Sequence, residues 1–331
     1  MTLPETFDAF RIHRDDRGHR SGLERLALDA LTPGQIVVRA DWSSVNYKDA
    51  LAGTGKGRIL RRFPLVGGID VAGTVVGSTD PAWAEGDAVI ATGCGLGESR
   101  DGGYSQFVRL ESSAAIRLPR SLSPREAMII GTAGFTAALA LLRMLDNRQT
   151  PAHGPLVVTG ASGGVGSLAI DIFSRAGFEV HAVSGKPDQA AWLQALGATQ
   201  VLSRDVLADA APLQSARFGG GLDNVGGPML ASLLAQTTAY GSVVSAGLAA
   251  SPALDTAVMP FILRGVSLLG VSSSNAPRAL REQVWERLGS DWRPARLDAI
   301  CTREVGMQEL PEVFEAMLAG GARGRTVVRI D

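Results

Sequence analysis

Cysteine is scarce in this sequence, and histidine is almost as rare. Cys94 and Cys301 are the only cysteines in 331 residues, and they show no CxxC or ligand spacing. A disulfide framework is therefore excluded and a reducing compartment is expected. The four histidines show no i, i+3 or i+4 pairing. Since a zinc site needs several converging ligands, the sequence predicts no metal site.

The chain also lacks an excess of charge of either sign and a long uninterrupted apolar run. The net charge is −1, and both signs are scattered, so neither nucleic acid nor an anionic membrane is expected as a partner. The longest apolar stretch, Ala127 to Leu142, contains glycines and threonines and ends at Arg143. This length predicts a buried helix rather than a membrane span. With no continuous apolar segment at the N-terminus, a soluble, cytoplasmic protein is expected.

The length of the chain and the change in its pattern of Gly, Pro and Asp near residue 123 predict two domains. Residues 1–123 contain short strand-like runs separated by Gly, Pro and Asp, which is typical of a β-rich, partly barrel-like domain. Ser123-Pro124-Arg125-Glu126 is a capping box with proline at the first helical position, so a helix is predicted from there to about Leu145. Residues 124–289 then alternate strands and helices, which predicts an α/β fold with a parallel, doubly wound sheet. Residues 290–331 are predicted to return to the first domain.

The segment Pro155 to Lys186 is a predicted strand, glycine turn, helix and strand. Gly160, Gly163 and Gly166 recur at every third position between the first strand and the helix. One glycine can turn the chain, one can lie under a diphosphate, and one can let helix and strand pack closely. The spacing is GxxGxxG, and a tight structural turn without a ligand is the alternative.

The end of the second strand bears on the choice of dinucleotide. NAD sites usually place an acid there to accept the ribose hydroxyls, whereas this chain has Ser184-Gly185-Lys186. A hydroxyl and an ammonium suit a 2′-phosphate, and Arg204 follows the next strand. The prediction is NADP(H); the alternative is that Lys186 and Arg204 are ordinary surface charges.

Several motifs in sequence order resemble those of the medium-chain dehydrogenase/reductase superfamily. They are SVNYKDAL from Ser44, GIDVAGTV from Gly68, IGTAGFTA from Ile130, VTGASGGVGS from Val158, VSGKP from Val183 and DNVGG from Asp223. The likeness covers essentially the whole chain and is greatest to the acrylyl-CoA reductase branch of the zinc-independent, quinone-oxidoreductase-like proteins. It implies a GroES-like catalytic domain joined to a Rossmann-type NADP-binding domain, and a homodimer formed through the strand Val266 to Val271.

The resemblance also implies which residues bind the cofactor. They are Tyr47, Thr132, Ser162, Gly163, Gly164, Val165, Ser184, Gly185, Lys186, Arg204, Leu248 and Ser274. Zinc-dependent relatives have a cysteine near the start of the NYKD segment and a His-Glu pair where this chain has Ile69-Asp70. Catalysis by a metal Lewis acid is therefore disfavoured.

Without a metal, hydride transfer needs an acceptor that is already electrophilic, such as an α,β-unsaturated thioester or a quinone. The resemblance places Tyr47 beside the nicotinamide, where it is the candidate donor or acid, and Asn46 is the candidate to orient substrate or nicotinamide. Tyr47 can alternatively be a buried structural tyrosine. The basic run Lys56, Arg58, Arg61 and Arg62 either binds coenzyme A phosphates or is a solvated surface.

Two positions depart from the branch. The strand ending at Val271 is followed by Ser272-Ser273-Ser274, where an Asp-Ser pair is usual, and Asp101 stands before Gly102-Gly103, where a bulky ring is usual. The sequence therefore predicts an NADPH-dependent enoyl-thioester reductase acting on a short acyl-CoA such as acrylyl-CoA. The alternatives are an NADPH:quinone oxidoreductase and an NADPH-binding sensor with little catalysis.

Overall fold

The computed structural model describes residues 3–209 and 211–331, which are organised by two kinds of β-sheet. By contacts within the chain they form two units. The first holds the described residues up to Thr132, with Ser274–Gly289 and Cys301–Asp331; the second holds Ala133–Ser273 and Ser290–Ile300. The domain limits expected from the sequence, at 123/124 and 289/290, stay a prediction.

The described residues up to Asp146 form mostly short strands, followed by one long helix. In chain order they are β1 (Phe7–Asp15), β2 (Gly18–Leu26), β3 (Ile36–Val45), α1 (Tyr47–Thr54), β4 (Leu65–Val66), β5 (Asp70–Ser78), β6 (Ala88–Thr92), β7 (Phe107–Leu110), β8 (Ile116–Arg117) and α2 (Pro124–Asp146).

The chain then alternates strands and helices before it ends in a short α/β tail. The alternating part has β9 (Leu156–Thr159), α3 (Gly164–Arg175), β10 (Val180–Val183), α4 (Ala190–Ala195), β11 (Gln200–Leu202), β12 (Phe218–Asp223), α5 (Gly227–Ala235), β13 (Thr237–Ser245), α6 (Met259–Arg264) and β14 (Ser267–Gly270). The remaining elements are α7 (Arg278–Leu288), α8 (Leu297–Ile300), β15 (Cys301–Val305), α9 (Leu310–Leu318) and β16 (Arg325–Arg329).

The first unit is built on two mainly antiparallel sheets. One has the strand order β2-β1-β4, and the other runs β15-β16-β3-β5-β6-β8 with β7 paired to β3. Phe10, Tyr104 and Phe314 meet in its core, with ring centroids 5.9 to 6.3 Å apart. Phe314 lies against Gly53, so α9 packs on α1 and fixes the helix that begins at Tyr47. Strand β16, near the end of the chain, pairs antiparallel with β3 of the same unit.

The second unit is built on one parallel sheet with the order β11-β10-β9-β12-β13-β14. Counting from β9, this is the 3-2-1-4-5-6 order of the doubly wound dinucleotide-binding fold. All four residues of β9 are buried, as expected for a parallel strand covered on both faces. The predicted fold class is confirmed. The order reverses between β9 and β12, and ligands in such sheets bind in the crevice at that point, beyond the carboxyl ends of the strands.

The long apolar helix predicted from the capping box is present. Ser123 and Glu126 exchange hydrogen bonds at its start, with Ser123 N donating to Glu126 Oε2 at 2.9 Å. Helix α2 is long and apolar enough to cross a membrane, but it is mostly buried inside the protein, as in the core of a soluble protein. Gly131 interrupts it with φ 49° and ψ −158°.

Some elements differ from the sequence expectations. The hairpin β1–β2 and helices α1, α5 and α6 were not predicted. The run Ser242 to Leu248 predicts a strand, whereas the observed β13 begins at Thr237 and ends at Ser245, so Leu248 lies in the loop beyond it. The segment Asp188 to Leu196 predicts one helix, whereas the structure has a 3-10 turn, Pro187–Gln189, followed by the short α4.

Candidate active site

The glycine turn links β9 to α3 at the carboxyl end of a central strand. Gly160 has φ 58°, and Gly163 is the N-cap of α3. A Cβ at Gly166 would lie 2.4 Å from the carbonyl oxygen of Gly160, so only glycine permits this close packing of helix on strand. At Gly163 a Cβ would meet only that same oxygen, at 3.3 Å. The turn therefore has the open backbone surface at a helix N-terminus that suits a diphosphate.

The DNVGG segment supports the turn from the neighbouring strand. Thr159 Oγ1 donates to Asp223 Oδ1 at 2.7 Å, and Asn224 Nδ2 donates to the carbonyl oxygen of Thr159 at 2.8 Å. Gly226 N donates to Asp223 Oδ2 at 2.7 Å. Burial raises the pKa of the Asp223 carboxyl group, while the hydrogen bonds from Thr159 Oγ1 and the Gly226 N–H act in the opposite direction. Asp223 and Asn224 thus hold together the ends of β9 and β12, where the strand order reverses.

Ser184, Lys186 and Arg204 lie together at the end of β10. Ser184 is buried, and its Oγ accepts the backbone N–H of Lys186 at 3.1 Å. The exposed Arg204 lies over Gly185, since a Cβ there would be 2.6 Å from Arg204 Nε and 2.7 Å from Cζ. The structure therefore places the Ser184 hydroxyl and the Arg204 guanidinium at the same turn, with Lys186 next in the chain, and a hydroxyl and two cations suit a phosphate group.

The other residues that the sequence assigned to the cofactor lie in several places. Ser162 is buried within the glycine turn, and Gly163, Gly164 and Val165 are partly exposed at the start of α3. Leu248 is 65% exposed. Tyr47, Thr132 and Ser274 belong to the first unit.

A buried acid and a buried arginine form the centre of a polar cluster in the first unit. Asp70 and Arg325 are 0% and 3% exposed, and Arg325 Nη2 is 4.0 Å from Asp70 Oδ2. Ser44 Oγ, which accepts from Arg325 at 2.8 Å, donates to Asp70 Oδ2 at 2.7 Å. Arg325 also donates to the carbonyl oxygens of Ile129 and Val45. The cluster therefore joins β3, β5, α2 and β16.

The break in helix α2 lies next to this cluster. Because Gly131 leaves the helical conformation, Thr132 can donate from its backbone N to Asp70 Oδ2 at 3.0 Å and from Oγ1 to Asp70 Oδ1 at 2.5 Å. A Cβ at Gly131 would lie 2.7 Å from Asp70 Oδ2 and 2.8 Å from Arg325 Nη2. The position thus requires glycine both for its positive φ and for space.

Both the nitrogen and the oxygen of the Asn46 side-chain amide form hydrogen bonds. Its Nδ2 donates to Asp70 Oδ2 at 2.9 Å and to Asp49 Oδ2 at 3.2 Å, and its Oδ1 accepts from Arg325 Nη1 at 3.1 Å. Its backbone N donates to Asp49 Oδ2 at 2.9 Å. Sequence reasoning offered this amide for substrate or nicotinamide, whereas the geometry supports a role in fixing the start of α1.

Asp49 is the buried acid of α1. Its Oδ1 accepts the backbone N–H of Ile69 at 3.0 Å. Burial, followed by repulsion from Asp70, raises the pKa of the Asp49 carboxyl group to about 7. In the NYKD segment the sequence allows Asp49 to fix either Lys48 or the local backbone turn, and the structure shows that it fixes the turn.

Tyr47 follows Asn46 as the first residue of α1. It is 52% exposed, and its hydroxyl group has no hydrogen-bond partner in the parts of the chain that the structure describes. The alternative of a buried ring with a satisfied hydroxyl therefore does not apply. By contrast, Tyr104 is buried and donates to the carbonyl oxygen of Ser44 at 3.0 Å.

The basic run is divided between paired and unpaired side chains. Lys56 Nζ is 2.6 Å from Glu315 Oε2, and Arg62 Nη2 is 3.5 Å from Asp101 Oδ2. Arg58 and Arg61 are exposed and form no ion pair within residues 3–209 and 211–331. These two guanidinium groups are the ones best able to receive an anionic ligand.

Asp101 has a structural position. Its Oδ2 accepts from Thr32 N at 2.7 Å and its Oδ1 accepts from Val66 N at 2.8 Å. The carboxylate is buried, so it connects its own loop to the loop at Thr32 and to strand β4 rather than presenting a free acid.

Sequence reasoning missed two residues of these clusters. Arg325 stands in an ordinary strand sequence, and nothing there indicates a buried guanidinium. Glu98, which lies 2.6 Å from Lys48, is fifty positions away in sequence. Across the described parts of the chain, no three His, Cys, Asp or Glu residues are grouped so as to hold a metal ion.

Two protein families match this chain. The alcohol dehydrogenase GroES-like domain matches residues 32–120, and the family described as zinc-binding dehydrogenase matches residues 164–290. The putative quinone oxidoreductase YhfP of Bacillus subtilis is 43% identical over 98% of this chain and 99% of its own length. The acrylyl-CoA reductase AcuI of Ruegeria pomeroyi is 41% identical, with the same coverage.

Solved structures agree with these sequence matches. The YhdH oxidoreductase of Salmonella enterica, in complex with NADP, has a TM-score of 0.95 and 43% identity, covering 98% of this chain and 100% of its own. YhfP of Bacillus subtilis, with NAD bound, has a TM-score of 0.95 and 40% identity, covering 99% and 100%.

The fold and the matches first define a class, the two-domain oxidoreductases that join a GroES-like domain to a dinucleotide-binding domain. The chain belongs to the medium-chain dehydrogenase/reductase superfamily. The resemblance to this superfamily and to its acrylyl-CoA reductase branch is thereby confirmed.

Proposed function

We propose that this protein uses NADPH to reduce the C=C bond of a short α,β-unsaturated acyl-CoA. The observation that carries the proposal is the half-exposed Tyr47 hydroxyl, free of protein partners in the described chain, at the start of a helix anchored by Asn46. The name of the Ruegeria pomeroyi relative supports the choice of acceptor.

The cofactor is NADP(H). The open backbone at Gly163 suits its diphosphate, and Ser184, Lys186 and Arg204 suit its 2′-phosphate. No acid occurs in Ser184-Gly185-Lys186 to compete for a ribose hydroxyl. The NADP complex of the Salmonella enterica relative supports this choice, whereas YhfP was solved with NAD.

The protein's own residues have separate roles in the reaction. When bound, NADPH supplies the hydride that adds to the β-carbon of the acceptor. The conjugated thioester accepts the resulting charge on its carbonyl oxygen, which fixed donors stabilise. Tyr47 then donates a proton to the α-carbon. Asn46 positions Tyr47 through Asp49 and Asp70, and Thr132 fixes Asp70.

We propose further that coenzyme A phosphates bind the basic run through Arg58 and Arg61. Lys56 and Arg62 add positive potential, although each is already close to a carboxylate. Both proposed ligands are exposed and unpaired within the described chain, so they are available to a phosphate.

One assay tests the activity. Purified protein is mixed with NADPH and either acrylyl-CoA or a small quinone, and nicotinamide absorbance is followed. Oxidation of NADPH with acrylyl-CoA, and formation of propionyl-CoA, are expected. Turnover of the quinone alone contradicts the proposal and supports the second candidate, an NADPH:quinone oxidoreductase, which the name of YhfP favours. Tight NADPH binding without turnover of either acceptor indicates a sensor.

The edge of the parallel sheet is the proposed dimer interface. Within the described chain, β14 pairs only with β13, and the nearby Val258, Ile262 and Leu263 are between 61% and 72% exposed. A second copy that pairs β14 with β14 would satisfy the free strand edge and cover this apolar surface. Sedimentation should show a dimer that Ile262→Asp dissociates; a wild-type monomer contradicts the proposal.

A cytoplasmic location is also proposed, and cell fractionation tests it.

A further inference from the structure

Lys48 is held between two polar partners at the start of α1. Its Nζ lies 2.6 Å from Glu98 Oε1 and 3.3 Å from Ser274 Oγ. The three residues come from distant parts of the sequence and belong to the same unit. The backbone also fixes the partners, because Cys94 N donates to the carbonyl oxygen of Ser274 at 3.1 Å and Arg61 N donates to that of Glu98 at 2.7 Å.

The ammonium group still has a donor available. An ammonium carries three N–H bonds, and the two contacts account for two of them. The Lys48 side chain is 34% exposed, whereas that of Glu98 is 15% exposed. Because the lysine is partly exposed, solvent screens this ion pair, which contributes only modestly to stability. The arrangement therefore orients a cation more than it stabilises the fold.

Two residues next to Lys48 already have proposed roles at the active site. Tyr47, the proposed proton donor, precedes it directly, and Ser274 is a predicted cofactor residue. Hydride addition to an unsaturated thioester makes the carbonyl oxygen negative, and a preorganised positive charge stabilises it. A cation fixed at this position can supply that charge.

We propose that Lys48 is a second catalytic residue, whose ammonium group stabilises the oxyanion formed when hydride adds to the acceptor. This inference rests on the proposed function. The hydride and its electron pair form the new C–H bond at the β-carbon, and the C=C π pair moves to leave a thioester enolate. Tyr47 protonates the α-carbon, the carbonyl re-forms, and water returns a proton to the phenolate. Lys48 keeps its proton throughout.

The test compares three substitutions. Lys48→Met removes the charge, Lys48→Arg keeps it, and Glu98→Gln keeps an oxygen that accepts from the ammonium but removes the neutralising charge. Arg125→Met is the matched control, because Arg125 lies 2.5 Å from Glu304 in the same unit and is 31% exposed. The steady-state kinetics with acrylyl-CoA, NADPH binding by fluorescence titration and thermal unfolding are measured for each.

Lys48→Met should lower kcat/KM by about 100-fold, which is the usual cost of removing one oxyanion donor. The Kd for NADPH should stay within about twofold and the Tm should change little. The kcat/KM of Lys48→Arg should be about tenfold or more above that of Lys48→Met. The kcat/KM of Glu98→Gln should fall by less than about fivefold, and that of Arg125→Met should equal the wild-type value.

The proposal is wrong if Lys48→Met stays within about threefold of the wild type, or if Lys48→Met and Glu98→Gln lose equal activity, as for a merely structural ion pair. Failure of the wild type to reduce acrylyl-CoA refutes the proposed function separately. The variants are then compared with a quinone, whose reduction also places negative charge on oxygen. A loss for Lys48→Met supports its role there, and an unchanged rate overturns it.

Discussion

Asn46 Nδ2 donates to Asp70 Oδ2 at 2.9 Å, and the same amide nitrogen reaches Asp49 Oδ2 at 3.2 Å. One side chain therefore bridges two buried carboxylates, while its oxygen accepts from Arg325. This arrangement fixes the peptide immediately before Tyr47 and places charged groups within a few ångströms of it.

Gly131→Ala should destabilise the protein. The new Cβ would lie 2.7 Å from Asp70 Oδ2, and φ is 49° at this position. Backbone strain and the displaced cluster should together lower the free energy of unfolding by about 3 kcal/mol or more. Denaturant unfolding measures the loss. Gly77→Ala is the control, because no atom lies within 4 Å of its added Cβ and its φ is not positive. Equal effects of both substitutions would contradict this account.

Tyr47→Phe should lower kcat with acrylyl-CoA by about 100-fold or more, because general acid catalysis contributes on that scale. The Kd for NADPH should be unchanged, since the ring is retained. Stopped-flow kinetics and fluorescence titration measure the two quantities. Tyr240→Phe is the control, because Tyr240 is 74% exposed and lies in the second unit. Normal turnover by Tyr47→Phe would remove this hydroxyl from the reaction.

Lys186→Glu should weaken NADPH binding by about tenfold or more, since charge-assisted hydrogen bonds contribute about 1.5–3 kcal/mol. NADH lacks the 2′-phosphate, so its binding should change much less. Titration calorimetry with both nucleotides gives the ratio. Arg175→Glu reverses an exposed charge at the end of α3 and should leave the ratio unchanged. An equal loss for NADPH and NADH would argue against a phosphate contact at Lys186.

Removing the two unpaired guanidinium groups with Arg58→Ala and Arg61→Ala should raise the KM for acrylyl-CoA by about tenfold, with little change in kcat. The KM for a small quinone, which carries no phosphate, should not move. Arg120→Ala removes an exposed charge elsewhere and should leave the KM for acrylyl-CoA unaltered. A similar rise for both acceptors would show that the guanidinium groups do not act on coenzyme A phosphates.

Asp49 should make stability depend on pH. Its pKa is raised to about 7 in the folded protein, from about 4 in an unfolded chain. Between these values the folded state binds more protons than the unfolded state, so the free energy of unfolding falls as pH rises from about 4 to about 7 and then levels off. Denaturant unfolding across this pH range should show the decrease in the free energy of unfolding. Asp49→Asn should remove the part of this decrease that comes from Asp49. An identical pH profile for the variant would be evidence against the assignment.

The fold of the second unit was largely predictable because its signals are local. Apolar runs and glycines after strands identify βαβ units directly; Gly160 and Gly163 lie between β9 and α3, and Gly166 lies in the first turn of α3. The sequence predicts a strand over Gly221 to Val225, whereas β12 begins at Phe218 and ends at Asp223, because glycines have a low strand propensity and hide its start. The family, the fold class and the choice of NADP(H) also agree with the matches to known proteins.

The polar cluster of the first unit was not predictable in this way. Asn46, Asp70, Thr132 and Arg325 meet only after β3, β5, α2 and β16 come together, and no sequence spacing links them. Helix α1 is short and begins with exposed and polar residues, so its periodicity is weak. The roles proposed for Tyr47, Lys186 and the basic run stay predictions until the variants are measured.

The position of Arg325 also has a consequence for protein engineering. Zinc-dependent members of the superfamily use the positions around Ile69-Asp70 for metal ligands, and here a buried guanidinium lies 4.0 Å from Asp70. Grafting cysteine and histidine onto this backbone would place a divalent cation beside a permanent positive charge. Conversion into a metalloenzyme would therefore have to begin with the replacement of Arg325 on the returning strand, and only then with the ligands.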